Sequence, residues 1–211
     1  MRRWYWWQPA ERPHIPYVTA IAVSPTHPDT LLVGVEAQRV LRSNNGGRSW
    51  TRLRKGTALD AHALAFHALD GDRAYEGAGL GVAMSRDAGR TWTRVSAGLA
   101  VRYVMTIAVD PADPDLWYAG AARMRSAHTA HSHAFIFRHE GGMWTRLTGG
   151  LPPELEQLPH ALVCPTPNVV YAGLRDGTVW RSLDRGGSWS RLPIELHGLR
   201  ALLVLDDGRA S

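Results

Sequence analysis

Ser85-Arg-Asp-Ala-Gly-Arg-Thr-Trp92 and Ser182-Leu-Asp-Arg-Gly-Gly-Ser-Trp189 are the stretches that decide the fold of this chain. Both follow the pattern Ser-x-Asp-x-Gly-x-x-Trp. Two further copies are imperfect: the segment 43–50 has Asn45 in place of the Asp, and the segment 137–144 keeps only the Gly and the Trp. A fourfold recurrence of anchor residues at fixed offsets indicates a repeat architecture. We number these segments boxes 1 to 4 in chain order.

Each residue type in a box suits a tight β-hairpin. Ser and Asp side chains bond to nearby backbone N–H groups, and Gly takes a positive φ without steric cost. The Trp fills the apolar space beneath the turn. Asn45 can accept the same hydrogen bonds as Asp, so box 1 is expected to fold. His139 of box 3 is a poorer substitute for Asp, and we predict a looser third hairpin.

Short apolar runs alternate between the boxes with turns rich in Gly, Pro, Asp and Asn, and no segment holds a helical period. The sequence therefore predicts an all-β protein. The tryptophans at positions 50, 92, 144 and 189 lie 42, 52 and 45 residues apart, a spacing that suits four-stranded antiparallel blades of a β-propeller. Inner strands are predicted at Val18–Val23, Ala63–Phe66, Val104–Val109 and Ala161–Cys164, each followed by a second strand that ends near a Gly.

Four complete blades and part of a fifth are predicted. The complete blades cover residues 18–55, 61–97, 104–148 and 160–193, and residues 198–211 form the partial blade, with an inner strand at Leu199–Leu205. In the N-terminal segment 1–17, Trp4-Tyr-Trp-Trp7 is a candidate ring-closing strand. Two interpretations stay open: a small ring closed by the two termini, or a piece of a larger ring. An incomplete ring exposes strand edges and favours a homo-oligomer.

The boxes resemble the Asp-box, or bacterial neuraminidase repeat. That repeat occurs in sialidases, some other glycoside hydrolases, sortilin-type receptors and photosystem II assembly factors. The resemblance covers about residues 18–205. It implies the blade structure and no particular activity, because the family places this box on the rim, away from the catalytic face. We therefore expect function on the opposite face.

Composition restricts the partners and the compartment. The 211 residues are 45% hydrophobic, enough for one sizeable core. The net charge of +5 rests almost wholly on Arg, which is weak support for nucleic acid binding, and we predict no nucleic acid partner. The single Cys164 excludes an intrachain disulfide. No apolar run reaches the length of a secretory signal or a membrane span, so we predict a cytoplasmic protein with no membrane partner.

The face opposite the boxes is built by the loops that join blades and by the loops between second and third strands. We predict binding residues there at His62, Arg102, Tyr103, His160 and Arg175. Other candidates on this face are Asp60, Arg123, Glu154, Glu156, Glu195 and His197. His62 and His160 occupy equivalent positions at the start of inner strands, where hydrogen bonding across the central channel is an alternative role.

Catalysis is the alternative function. A sialidase-like site needs three arginines, a Tyr nucleophile and two carboxylic acids, and the sequence supplies such residue types, for instance Arg102, Arg175, Tyr103 and Glu154. The Arg-Ile-Pro signature of sialidase domains is absent, and the nearest match, His14-Ile15-Pro16, has His in place of the Arg. A two-carboxylate hydrolase that uses Glu154 or Glu156 with Asp60 stays open.

Two further patterns have a functional and a structural interpretation. His128, His131 and His133 could approach a Zn²⁺ or Cu²⁺ ion, but no recognised spacing completes the set, and a polar loop is the favoured reading. An Arg recurs on the fourth strand of each blade, at positions 52, 94, 146 and 191. These residues either form a basic belt for an acidic partner or keep the edge strands from pairing with other molecules.

The sequence thus predicts a non-catalytic β-propeller module that binds or scaffolds, with no cofactor and no metal. Its ligand, a protein or a carbohydrate, is expected on the face opposite the boxes. A glycoside hydrolase of the same fold is the alternative.

Overall fold

Sixteen β-strands and no helix make up the part of the chain that the computed structural model describes, residues 16–129, 131–194 and 196–203. The first two blades comprise β1 Val18–Val23, β2 Leu31–Val35, β3 Leu41–Ser43, β4 Thr51–Arg52, β5 Ala61–Phe66, β6 Ala74–Ala78, β7 Gly81–Ser85 and β8 Thr93–Arg94. The next two comprise β9 Tyr103–Val109, β10 Trp117–Ala122, β11 Ala134–Glu140, β12 Met143–Arg146, β13 Pro159–Val163, β14 Val170–Leu174, β15 Val179–Ser182 and β16 Ser190–Arg191.

Each blade is an antiparallel sheet of four strands that follow one another in sequence order. The inner strands β1, β5, β9 and β13 pack side by side in that order. The predicted all-β propeller of four-stranded blades is confirmed. The blade assignment rests on the alternation of apolar strands with boxes, which the sheets reproduce.

Boxes 2 and 4 close through the same hydrogen bonds. In box 2 the Ser85 hydroxyl donates to Asp87 Oδ1 at 2.8 Å and accepts from the Gly89 N–H at 2.9 Å, and Asp87 accepts from the Thr91 N–H at 2.8 Å. Box 1 repeats this set with Asn45, whose Oδ1 accepts from the Ser49 N–H at 2.9 Å. An amide therefore replaces the carboxylate, as predicted.

Box 3 is built differently, and the prediction of a looser hairpin is wrong. His139 pairs with Trp144 and Glu140 with Met143, so the strands continue to a two-residue turn at Gly141-Gly142. Both glycines have positive φ, as such a turn requires. The His139 ring packs between Trp117 and Trp144 instead of capping a loop. The third hairpin thus has the longest outer strand of the four.

Each blade leaves room for the inner strand of the next at one glycine of its second strand. A β-carbon at Gly77 would lie 2.9 Å from the side chains of Val104 and Ile107, and Gly34 and Gly120 face the following blade in the same way. At Gly173 the atoms met belong to Leu199 and Leu202. Residues 199–202 therefore occupy the place of a fifth inner strand, although no strand forms within 199–203.

The two ends of this array differ. No described residue covers the face of blade 1 that points away from blade 2, and Ile21 on β1 is 63% exposed. Tyr17, Val18 and Val23 on the same strand or next to it are also exposed. The candidate ring-closing segment Trp4–Trp7 lies outside the described residues, as do residues 204–211. None of the described residues forms a helix long and apolar enough to cross a membrane.

Candidate functional site

A β-bulge interrupts every inner strand at the end that faces the loops opposite the boxes. The residues left unpaired are Thr19, His62, Met105 and His160. A bulge turns the extra side chain away from the regular alternation of the strand. Two of the predicted binding residues, His62 and His160, are therefore presented by the same local device.

His62 links blade 2 to blade 3. Its Nδ1 lies 2.8 Å from the carbonyl oxygen of Val104, and its Nε2 lies 3.1 Å from Asp60 Oδ2. Both neighbours are hydrogen-bond acceptors. Thr19 makes the equivalent interblade bond, from its hydroxyl to the Ala61 carbonyl. His62 and Thr19 thus each bond to the backbone of the next blade.

Tyr103 and His128 form the centre of the site. The Tyr103 hydroxyl lies 2.7 Å from His128 Nε2, and the His62 ring lies 4.8 Å from the Tyr103 ring, centroid to centroid. Burial, followed by the negative charge of Asp60, raises the pKa of Tyr103. Partial burial, followed by the positive charges of His62 and Arg175, lowers the pKa of His128. Both shifts favour neutral groups, in which the hydroxyl donates and Nε2 accepts.

Asp60 anchors this cluster as a carboxylate. Burial opposes its ionisation, but hydrogen bonds from His62 and from the Ala37 N–H outweigh that effect and keep the pKa of Asp60 below its usual value. Glu36 and Tyr17 of blade 1 border it: burial and then the charge and hydrogen bond of Glu36 raise the pKa of Tyr17. We define the Tyr103 cluster as Asp60, His62, Tyr103 and His128.

The structure brings together some of the predicted binding residues. His62 and Tyr103 are in contact, and the positive charge of Arg175 reaches both His128 and His160. Partial burial, followed by the charges of Arg175 and Arg200, lowers the pKa of His160. Arg102 is exposed, and its charge acts instead on Arg94 at the outer strand of blade 2. Glu195, another candidate, lies outside the described residues.

Two partners in the site were missed by sequence reasoning in their present role. His128 was considered only as a metal ligand, and Glu36 was not singled out. The available signal for Glu36 is its place directly after β2, where a polar residue leaves the strand toward the loop face. No local signal exists for His128, because its contact with Tyr103 depends on how the long loop 123–133 folds back.

A cleft of about 350 Å³ lies in the same loop region and is lined by His131, His133, Glu154, Leu155 and Glu156. His133 Nδ1 lies 2.5 Å from Glu154 Oε2. The three imidazoles of the loop thus divide, since His128 bonds to Tyr103 instead. In the described ranges, which omit Ala130, no three His, Cys, Asp or Glu side chains are placed to hold a metal ion.

Cys164 lies at the other end of β13 from this site and offers no reactive thiol. It follows β13, is half-buried, and places its Sγ 3.8 Å from Asp110 Oδ2. Burial, followed by the negative charge of Asp110, raises its pKa to about 12. A thiol with so high a pKa is a weak nucleophile at neutral pH.

Fold and site together define a β-propeller module with a structural rim of boxes and a polar loop face. No family model matches the chain, and no curated protein sequence matches it. Among solved structures, an ancestral GH74 enzyme matches with a TM-score of 0.67 and 19% identity, over 83% of this chain and 24% of that chain. The GH74 xyloglucanase from Xanthomonas campestris matches with 0.64 and 21%, over 82% of this chain and 29% of that chain.

A chain of YCF48 bound to a D1 peptide matches with a TM-score of 0.44 and 14% identity, over 85% of this chain and 70% of that chain, a likeness too weak to infer fold or function from. The present chain spans about a quarter of the length of the GH74 chains. At these identities the likeness to GH74 enzymes is one of fold alone.

Proposed function

We propose that this chain is a non-catalytic binding module whose contact surface is the loop face opposite the boxes. The observation that carries the proposal is the Tyr103 cluster, in which one hydrogen-bonded pair from blade 2 and one from blade 3 meet through the rings of His62 and Tyr103 on one face. Groups fixed in this way lose little conformational entropy when a ligand binds, which favours affinity. The ligand is a protein segment or a carbohydrate.

The chemistry of Tyr103 supports binding over catalysis. A Tyr nucleophile must lose its proton readily, whereas burial and the nearby Asp60 charge raise the pKa of Tyr103. The hydroxyl is also engaged with a neutral imidazole and not with a carboxylate. A neutral Tyr–His pair of this kind is suited to exchange hydrogen bonds with a polar ligand.

The proposal is tested by screening the whole chain against a glycan array and a peptide library, and then measuring the affinity of the selected ligands for variants. Tyr103→Phe removes one hydroxyl and keeps the ring, and we expect it to weaken binding about tenfold. Tyr171→Phe is the matched control, because Tyr171 lies on β14 and its hydroxyl makes no hydrogen bond among the described residues. Equal effects of the two variants, or no ligand at all, would contradict the proposal.

A glycoside hydrolase is the second candidate, favoured by the presence of Glu154 and Glu156 in one cleft. Two carboxyl groups on either side of a bond are what glycoside hydrolysis requires. Because the same fold occurs in a GH74 xyloglucanase, xyloglucan is the substrate to test. Release of reducing ends by the purified chain, lost in Glu154→Gln, would establish this candidate and remove the non-catalytic proposal. The cytoplasmic location and the homo-oligomer stay predictions.

A further inference from the structure

A second cleft, of about 490 Å³, opens between blades 2 and 3. Its walls are Ala100, Val101, Arg123, Phe135, Phe137, Arg146 and Glu154. Ala100 and Val101 belong to the connection between the two blades, and Arg123 and Glu154 lie on loops of the same face as the Tyr103 cluster. The cleft is therefore part of the proposed contact surface.

The floor of the cleft is aromatic. Phe135 and Phe137 lie two residues apart on β11, so they share one face of the sheet, and both are buried. Their rings meet edge to face with centroids 6.2 Å apart. A surface of this kind accepts an apolar group.

The rim of the cleft carries two arginines, Arg123 and Arg146, and one carboxylate, Glu154. The Arg146 guanidinium lies 4.2 Å from the centre of the Phe135 ring. Within the described ranges, neither Arg123 nor Arg146 has a side-chain hydrogen bond or ion pair to another residue. The one carboxylate of the rim, Glu154, is already bonded to His133. Two guanidinium groups against one carboxylate leave the rim with a net positive charge.

Blade 2 differs from blade 3 in the row of paired residues that contains this arginine. Glu76 pairs with Ala83, and Ala83 pairs with Arg94, so a carboxylate and a guanidinium share one row across the sheet. The equivalent row in blade 3 is Ala119, Phe137 and Arg146. Blades 1 and 4 likewise have no acidic residue in this row, so the carboxyl group is particular to blade 2. In blade 3 the row supplies no carboxylate to Arg146.

We propose that this cleft binds a peptide segment that places an acidic side chain beside an aromatic or aliphatic one. The apolar side chain lies against Phe135 and Phe137, and the carboxylate pairs with Arg146 and Arg123. A guanidinium binds a carboxylate through two parallel hydrogen bonds, which gives the pair both strength and direction. The inference rests on the proposed function only in taking the loop face as the contact surface.

The test is calorimetric titration of the whole chain with an acetylated, amidated tripeptide that has phenylalanine between two glutamates. We expect measurable binding, weakened about tenfold when glutamines replace the glutamates and by a similar factor in Arg146→Gln. Arg191→Gln is the matched control, because Arg191 pairs with Trp180 on blade 4 as Arg146 pairs with Phe137 on blade 3. That variant should bind the peptide as the unaltered chain does.

Several results overturn the inference. The first two are equal weakening of peptide binding by Arg146→Gln and Arg191→Gln, and equal affinity for the glutamate and glutamine peptides. The other two are absence of peptide binding, and binding of a xyloglucan oligosaccharide that is weakened by Arg146→Gln. The tripeptide reports on the cleft alone, whereas ligands from the array and library report on the whole loop face. If selected ligands bind in a Tyr103-dependent way and the tripeptide does not, this inference fails and the proposed function stands.

Discussion

Trp50 and Trp92 end two boxes with the same turn chemistry, yet Trp50 is 41% exposed and Trp92 is 7% exposed. The difference lies in what precedes each blade. Trp92 packs with Leu32 and Val40 of blade 1, whereas no described residue covers the outer face of blade 1. The turn of a box is therefore a local structure made by its own hydrogen bonds, and the burial of its Trp depends on a neighbouring blade.

The largest expected effect comes from truncating a covered tryptophan. Trp92→Ala removes a buried ring from the interface of blades 1 and 2, and we expect it to lower the free energy of unfolding by about 3–5 kcal/mol. Trp50→Ala, at the equivalent position on the uncovered face, should cost less than about 1 kcal/mol. Urea unfolding monitored by far-UV circular dichroism compares the two variants.

Equal losses in both variants would show that each Trp stabilises its own hairpin and not the packing between blades. The difference in burial between Trp50 and Trp92 would then not explain how the blades stabilise one another. A large loss at Trp50 alone would point to a partner that covers blade 1 in solution.

The second effect concerns the buried carboxyl at the same covered interface. Glu76 is fully buried, accepts one hydrogen bond from the Ala58 N–H at 2.7 Å, and its Oε1 has no partner among the described residues. Burial raises its pKa to about 7, above its usual value of 4.5, although Ala58, Arg94 and Arg39 oppose the shift. The folded chain thus binds this proton more tightly than the unfolded chain, so the contribution of Glu76 to stability falls between about pH 4.5 and pH 7.

Glu76→Gln removes that titration. The variant should resemble the unaltered chain below pH 4.5 and exceed it by about 3 kcal/mol in free energy of unfolding above pH 7. Chemical denaturation at a series of pH values measures the difference. A difference that is constant with pH, or that grows toward acid, is incompatible with a buried neutral Glu76.

The smallest effect is expected inside the box, where the turn is local. Asp87→Asn should change the free energy of unfolding by less than about 0.5 kcal/mol, because Asn45 of box 1 already makes the equivalent hydrogen bonds. Asp87→Ala removes the acceptor for Ser85 and Thr91 and should cost about 1–2 kcal/mol. If the Asn variant is as unstable as the Ala variant, the turn needs a charge and box 1 folds for another reason.

The blade repeat could be predicted because it follows from residues that are close in sequence. The first inner strand was placed at its observed bounds, Val18–Val23, and the others within two residues of theirs. Box 3 was misjudged because Gly141 and Gly142 support a two-residue turn by themselves. His139 was read by its alignment with Asp, while its actual partners are two rings of blade 3.

The candidate site was predictable in part. The positions of His62 and Tyr103 follow from the strand order, which brings the starts of adjacent inner strands to one face. The burial of Glu76 was not predicted. Its strand β6 is buried on both faces, so the alternation of polar and apolar residues does not show which side chains are exposed. The cleft beside Arg146 depends on how three loops of different blades meet, and no local pattern in the sequence contains that information.

The order of packing also has a consequence for synthesis. Trp92 docks on a blade that precedes it in the chain, and Trp189 likewise lies in a core shared with Leu147 of the preceding blade. A ribosome delivers the earlier blade first, so Trp92 and Trp189 emerge after the blades on which they pack. We infer that the blades pack in chain order during synthesis, each on the blade that precedes it.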